Sequence, residues 1–139
     1  MALRAVLDTR FYFSYYNPEN GEVASWTRSI VQGILKGELK VASSVITIAE
    51  LYGTMGRLVG MDAVKLRIAS SKASNILFIP ITEDIAHIAG EITLRTPKIP
   101  LADAIIAATA LIHAHGVVVT DDEHFKLVKG IETVWLKSI

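Results

Sequence analysis

Leu101-Ala102-Asp103-Ala104-Ile105-Ile106-Ala107-Ala108-Thr109-Ala110-Leu111-Ile112-His113-Ala114-His115 runs straight into Gly116-Val117-Val118-Val119. The segment up to His115 is apolar nearly all round, the pattern of a helix buried against a sheet, and Gly116 stands where a helix C-cap belongs. Val117 to Val119 then reads as a short buried strand. A wholly buried helix handing over to a wholly buried strand is the repeating unit of an α/β fold, and the rest of the chain can be read outward from it.

Towards the N-terminus, Ile85, Ile88, Ala89 and Ile92 mark an amphipathic helix, and Ile76 to Ile79 before Pro80 reads as a strand. Asp62 to Ser74 is a helix. Thr47 to about Val59 is another, weakened by Gly53, Gly56 and Gly60 at about 1 kcal/mol each relative to alanine. Close helix packing or a bend would account for those glycines. Val41-Ala42 is a brief strand, and Val23, Trp26, Ile30, Ile34 and Leu35 trace a helix that stops near Gly37. Leu3 to Leu7 is the first strand. Towards the C-terminus, Glu123 to Val128 is a short helix and Thr133 to Leu136 the last strand. Strands alternating with helices imply right-handed crossovers and a mainly parallel sheet of about five strands.

The 139 residues fit one domain, 1–139, with 51% apolar and 20% charged residues, the apolar share standing at or slightly above the usual ~45–50%. Some of that excess fits an interface between copies. No apolar run approaches the ~20 residues that span a bilayer, and the N-terminus has no signal-peptide pattern, so a cytoplasmic location and no membrane association are expected. The absence of cysteine excludes a disulfide framework, a thiolate zinc site and a cysteine nucleophile. Basic and acidic residues balance at 14 each, which leaves no global basic field for nucleic acid.

Four acids fall where apolar runs end or turn: Asp8, Glu50, Asp103 and Asp122. In a parallel sheet, ligands bind outside the carboxyl ends of the strands, a rim to which the topology can bring all four positions. Each acid also has a local explanation. Asp8 before Thr9 suits an Asx-turn, and Thr47-Ile48-Ala49-Glu50 matches a capping box. Asp103 in the first turn of its helix gains about 0.3–1 kcal/mol from the dipole. Asp121 or Asp122 suits the N-cap of the following helix. Asp103, however, is one charge on a surface that should face the sheet, and Asp8 follows Ala5-Val6-Leu7. Buried carboxylates of this kind call for a cation or a donor. Without cysteine or a convincing histidine, carboxylate oxygens favour Mg²⁺ or Mn²⁺ over zinc.

Phe11, Tyr12, Phe13, Tyr15 and Tyr16 hold half of the aromatic residues of the chain. A helix packing its aromatic face on the core or a partner is the favoured reading, with base stacking the alternative. His113 and His115, two apart, cannot share a helix face. His124 beside Asp122 reads as solvated or capping, or as a contact to phosphate. Arg10, Lys98, Lys126 and Lys129 are candidates for steering phosphate, and Thr9 or Thr120 for hydrogen-bonding a ligand carboxylate.

Val6-Leu7-Asp8-Thr9, Ile46-Thr47-Ile48-Ala49-Glu50-Leu51-Tyr52-Gly53, Leu101 to Ala110 and Val118-Val119-Thr120-Asp121-Asp122-Glu123-His124-Phe125 occur in the order, and at the spacings, of a known family. The chain resembles a PIN domain, and within that group the VapC-type toxins of toxin–antitoxin pairs. Gly130-Ile131-Glu132-Thr133-Val134 resembles the closing segment of the family. The resemblance implies a three-layer α/β/α sandwich and a Mg²⁺- or Mn²⁺-dependent endoribonuclease. It makes Asp8, Glu50, Asp103 and Asp122 the catalytic acids, with Asp8, Asp103 and Asp122 as metal ligands; Glu50 either ligates, acts through water or orients the nucleophile. Asp122 fits the Thr-x-Asp spacing better than Asp121. An RNA substrate, a homodimer and a VapB-like antitoxin docking near the early helices are also implied. The chain departs from the family where Arg10 follows Asp8-Thr9 in place of a small residue or asparagine. Arg10 also occupies the place of the second acid that an aspartyl phosphatase needs. Alternatives are a housekeeping RNA-processing PIN nuclease, or a non-catalytic RNA- or protein-binding module with a structural acidic cluster.

Overall fold

The computed structural model describes residues 2–139. The chain runs β1 (Ala5–Leu7), α1 (Thr9–Tyr16), α2 (Gly21–Leu35), β2 (Val41–Ser44), α3 (Val45–Thr54), α4 (Gly56–Val59), α5 (Met61–Ala73), β3 (Leu77–Ile79), α6 (Glu83–Arg95), α7 (Leu101–His113), β4 (Val117–Val119) and β5 (Glu132–Val134), with a 3-10 helix at Glu123–Leu127. All strand pairs are parallel and the order is β3-β2-β1-β4-β5. Val6 lies level with Ala42 on one side and Val118 on the other, and Leu7 with Val119.

Successive strand residues point to opposite faces, and both faces are covered. Val6, Ala42, Ile79 and Val118 pack with α6 and α7 through Ile85, Ala89, Ile92, Ala104 and Ala108. Ala5, Leu7, Val41 and Val119 pack with α1, α2, α3 and α5 through Phe11, Tyr12, Ile30, Leu51 and Val64. The connections from β1 to β2 and from β2 to β3 step the same way across the sheet, so right-handed crossovers lay their helices on one face. The connection from β3 back to β4 steps the other way and lays α6 and α7 on the opposite face. The result is the three-layer α/β/α sandwich.

The connections leave β1 and β4 towards opposite edges of the sheet, so the crevice for ligands lies outside the carboxyl ends of those two strands. Short strands bring Asp8 and Thr120 to that rim at once. β2 runs into α3 with no loop between them, because Ser44 ends the strand and caps the helix, its hydroxyl accepting from the Ile46 amide at 3.2 Å. The capping box expected of Thr47 and Glu50 is therefore absent. The helix starts two residues before Thr47, which is wholly buried, and Glu50 lies beyond the first turn.

The helix expected over 47–59 breaks at Met55 into α3 and α4. A Cβ on Gly53 or Gly56 would meet open space, so the glycines do not serve close packing. Gly60 adopts φ +88° where α5 begins. The helix expected to reach His115 ends at His113, with His115 and Gly116 both at positive φ. A Cβ on Gly116 would overlap the Gly130 carbonyl oxygen. Gly116 thus lets the turn into β4 touch the turn into β5. No helix among the described residues is long and apolar enough to cross a membrane.

Candidate active site

Asp8 follows β1 and is 3% exposed. One carboxylate oxygen accepts from the Thr9 amide at 2.8 Å, which caps α1, and the other accepts from the Thr120 hydroxyl at 2.7 Å. Thr120 Oγ1 accepts in turn from the Asp122 amide at 3.0 Å. The ends of β1 and β4 are thereby locked together. Thr9 Oγ1 donates to Glu50 Oε1 at 2.7 Å and lies 3.2 Å from Thr47 Oγ1, which ties α3 to α1. Both threonines hold carboxylates, as their positions in the sequence allowed.

Asp103 projects from the first turn of α7 and is 8% exposed. Asp122 caps the 3-10 helix, its Oδ1 accepting from the His124 amide at 2.9 Å. The His124 ring stands beside both acids, Nδ1 lying 2.9 Å from Asp122 Oδ1 and 3.7 Å from Asp103 Oδ2. Asp8, Glu50, Asp103 and Asp122 line one cleft of about 250 Å³, with Arg10 and Phe13 on its α1 wall. Asp121 turns to Arg10 instead, in a two-pronged pair at 2.9 and 3.1 Å. All four acids expected from the sequence are gathered, and Asp122 rather than its neighbour lines the cleft.

Burial pushes the Asp103 carboxyl up to about 7, with the charges of Asp8, Asp122 and Glu50 and a hydrogen bond to Asp122 adding to it. Asp8 is pushed up to about 6, again by burial first. The Thr120 hydroxyl and Thr9 amide oppose that rise, and Glu50 and Asp122 reinforce it. A like-charge pair about 4 Å apart costs roughly 4 kcal/mol at an effective dielectric of 20. Ionising the whole cluster is costly in the bare protein, and a bound cation reverses that cost. The donor set fits such an ion: Asp103, Asp122 and His124 each offer a ligand atom, all within 4.8 Å of one another, the one group of this kind among the described residues. Asp8 lies outside that group.

The sequence shows His124 only as a neighbour of Asp122, with no sign that it also stands beside Asp103. Its place beside Asp103 follows from α7 meeting the turn after β4, a contact between distant segments. The Arg10–Asp121 pair is likewise invisible from composition. Asp121 is held below the usual carboxylate range by its hydrogen bond with Arg10.

A parallel α/β/α sandwich with four carboxylates at its topological switch point defines an architecture shared with known proteins. The chain belongs to the PIN domain family, whose model it matches over residues 5–131. VapBC2 from Rickettsia felis, bound to a DNA fragment from its promoter, superposes with a TM-score of 0.72 at 16% identity, over 95% of this chain and 98% of that one. FitAcB from Neisseria gonorrhoeae gives 0.66 at 26% identity, over 95% and 97%. VapC20 of Mycobacterium tuberculosis, a sarcin–ricin-loop-cleaving toxin, gives 0.71 at 18% identity, over 91% and 96%. No curated protein matches the chain significantly in sequence.

Proposed function

We propose that this single domain, residues 1–139, is a cytoplasmic endoribonuclease of the VapC toxin type, dependent on Mg²⁺ or Mn²⁺. The observation that carries the reading is the convergence of Asp8, Glu50, Asp103 and Asp122 on one cleft from four separate segments. Membership of the PIN family supports it. RNA as the substrate is favoured by the likeness to VapC20, and a VapB-like antitoxin as partner by the likeness to VapBC2. Exposed Leu58, Met61 and Leu66 on and around α4 and α5 are the kind of apolar surface that a homodimer covers.

Asp103 and Asp122 would hold the ion, with His124 beside them. Asp8, whose oxygens accept hydrogen bonds from Thr9 and Thr120, keeps further lone pairs with which it would join them, directly or through water. Such an ion would supply activation of water and neutralisation of charge on the phosphoryl group. The remaining work belongs to the protein. Thr120 and the Thr9 amide fix Asp8, so its carboxylate needs no rearrangement when substrate arrives. Thr9 holds one oxygen of Glu50 in the cleft, and the other oxygen would ligate the ion, act through water or orient the attacking water. The imidazole alongside the carboxylates suits Mn²⁺ better than Mg²⁺.

End-labelled single-stranded RNA incubated with the protein should show internal cuts with Mn²⁺ and none with chelator. RNA that is bound equally well in chelator and stays intact in Mn²⁺ would identify a binding module instead.

A further inference from the structure

The cleft is acidic, yet its substrate by this reading is a polyanion, and among the described residues Arg10 is the one basic side chain lining it. Its Nε and one Nη are fixed by Asp121 at 2.9 and 3.1 Å, and the same Nη lies 3.4 Å from Glu19. Nη1 has no hydrogen-bond partner among the described residues. The guanidinium is therefore held in place with donors to spare, the condition in which arginine binds a phosphate with little further loss of freedom. Phe13 lies three residues on, on the same side of α1. It is partly exposed and lines the same cleft, whereas its neighbours Phe11 and Tyr12 are buried at 1% and 2% exposure.

We infer that Arg10 and Phe13 form a nucleotide subsite beside the acids, Arg10 holding a phosphate next to the one that is cut and Phe13 stacking on a base of single-stranded RNA. The inference rests on the ribonuclease reading. It gives α1 two functions, because Phe11 and Tyr12 anchor the helix in the core while the cleft-lining pair contacts substrate. Stacking on one face and a phosphate contact read no base edge, so the subsite favours unpaired RNA over duplex with little preference among bases. Arg10 also keeps Asp121 occupied, so freeing Asp121 is the alternative explanation for any effect of losing Arg10. The test has to separate the two.

Binding of a fluorescein-labelled single-stranded oligoribonucleotide, measured by polarisation against salt in an Asp103→Asn background, provides that separation. Arg10→Ala should weaken binding about tenfold and flatten the salt dependence by about 0.7 in log–log slope, the loss of one phosphate contact. Asp121→Asn should leave that slope unchanged, because the guanidinium remains. Phe13→Leu should weaken binding about 5-fold or more with an unaltered melting temperature, and an abasic nucleotide at the stacked position should cost affinity with Phe13 but not with Leu. Unchanged affinity and slope in Arg10→Ala and Phe13→Leu would overturn the subsite, as would Asp121→Asn reproducing the Arg10→Ala loss. Wild-type protein that does not cut RNA in Mn²⁺ would instead overturn the ribonuclease reading. Cutting with unaffected variants leaves that reading standing and removes only the subsite.

Discussion

Asp103 shows most directly how one residue serves function at the expense of stability. Its carboxylate is buried among three others and is pushed up to about 7, so in chelator at pH 8 the folded protein holds a charge that the unfolded chain would rather carry in water. Asp103→Asn keeps the shape and removes the charge. The variant should be more stable than wild type in chelator at pH 8, by about 2–4 kcal/mol, while losing cleavage. Urea denaturation followed by circular dichroism measures this, and a destabilised variant would mean that the carboxylate is already satisfied by the protein. Asp8 and Asp103 were legible in the sequence because a cap or a helix dipole explains an acid at a helix start but not its burial in an apolar run. Glu50 was legible only as a position. Its bond to Thr9 joins segments forty-one residues apart, and its apparent capping partner Thr47 is buried within the helix. Asp122 could be separated from Asp121 by motif spacing, but the physical reason, Arg10 claiming Asp121, lies 111 residues away.

Helices and strands were legible where periodicity is strong, and their ends were not. The alternation of buried helix and buried strand set the parallel sheet, whereas β2, expected as Val41-Ala42 alone, extends through Ser43 and Ser44. Ser43 is buried in the sheet because it donates to the Leu7 carbonyl at 3.0 Å and meets the Tyr12 hydroxyl at 2.6 Å. The glycines separate at this scale. Gly53 lies in α3 with open space around it, and Gly53→Ala should raise stability by about 0.5–1 kcal/mol through helix propensity. Gly116, at φ +80° against the Gly130 carbonyl, should not tolerate a side chain. Gly116→Ala should cost more than about 2 kcal/mol from overpacking and left-handed backbone together. Thermal melts of both variants decide whether the turn into β4 is as tightly specified as its contacts indicate.

For the molecule as a whole, the acid cluster makes stability depend on pH in an unusual direction. Unfolded aspartate titrates near 3.9, whereas Asp8 and Asp103 are raised in the fold to about 6 and about 7. The folded state then binds more protons than the unfolded state between about pH 4 and 7. The stability this confers is complete below the unfolded value and is lost as pH rises through the two folded values. Metal-free protein should lose about 2–3 kcal/mol between pH 5 and 8, less than the roughly 4 kcal/mol that two independent groups would give over this range, because each carboxylate raises the other. Mg²⁺ or Mn²⁺ should remove that loss. Melting temperatures across this range with chelator and with metal test it, and a flat profile in chelator would show that the cluster carries no such strain. The most direct test of the central claim, that these acids form a metal-dependent site for cutting RNA, is the rate of internal cleavage of single-stranded RNA in Mn²⁺ by wild-type and Asp103→Asn proteins that both melt cooperatively. The account expects cleavage by the wild type and a loss of more than about 100-fold in the variant; an Asp103→Asn protein that cuts RNA as fast as wild type would contradict it.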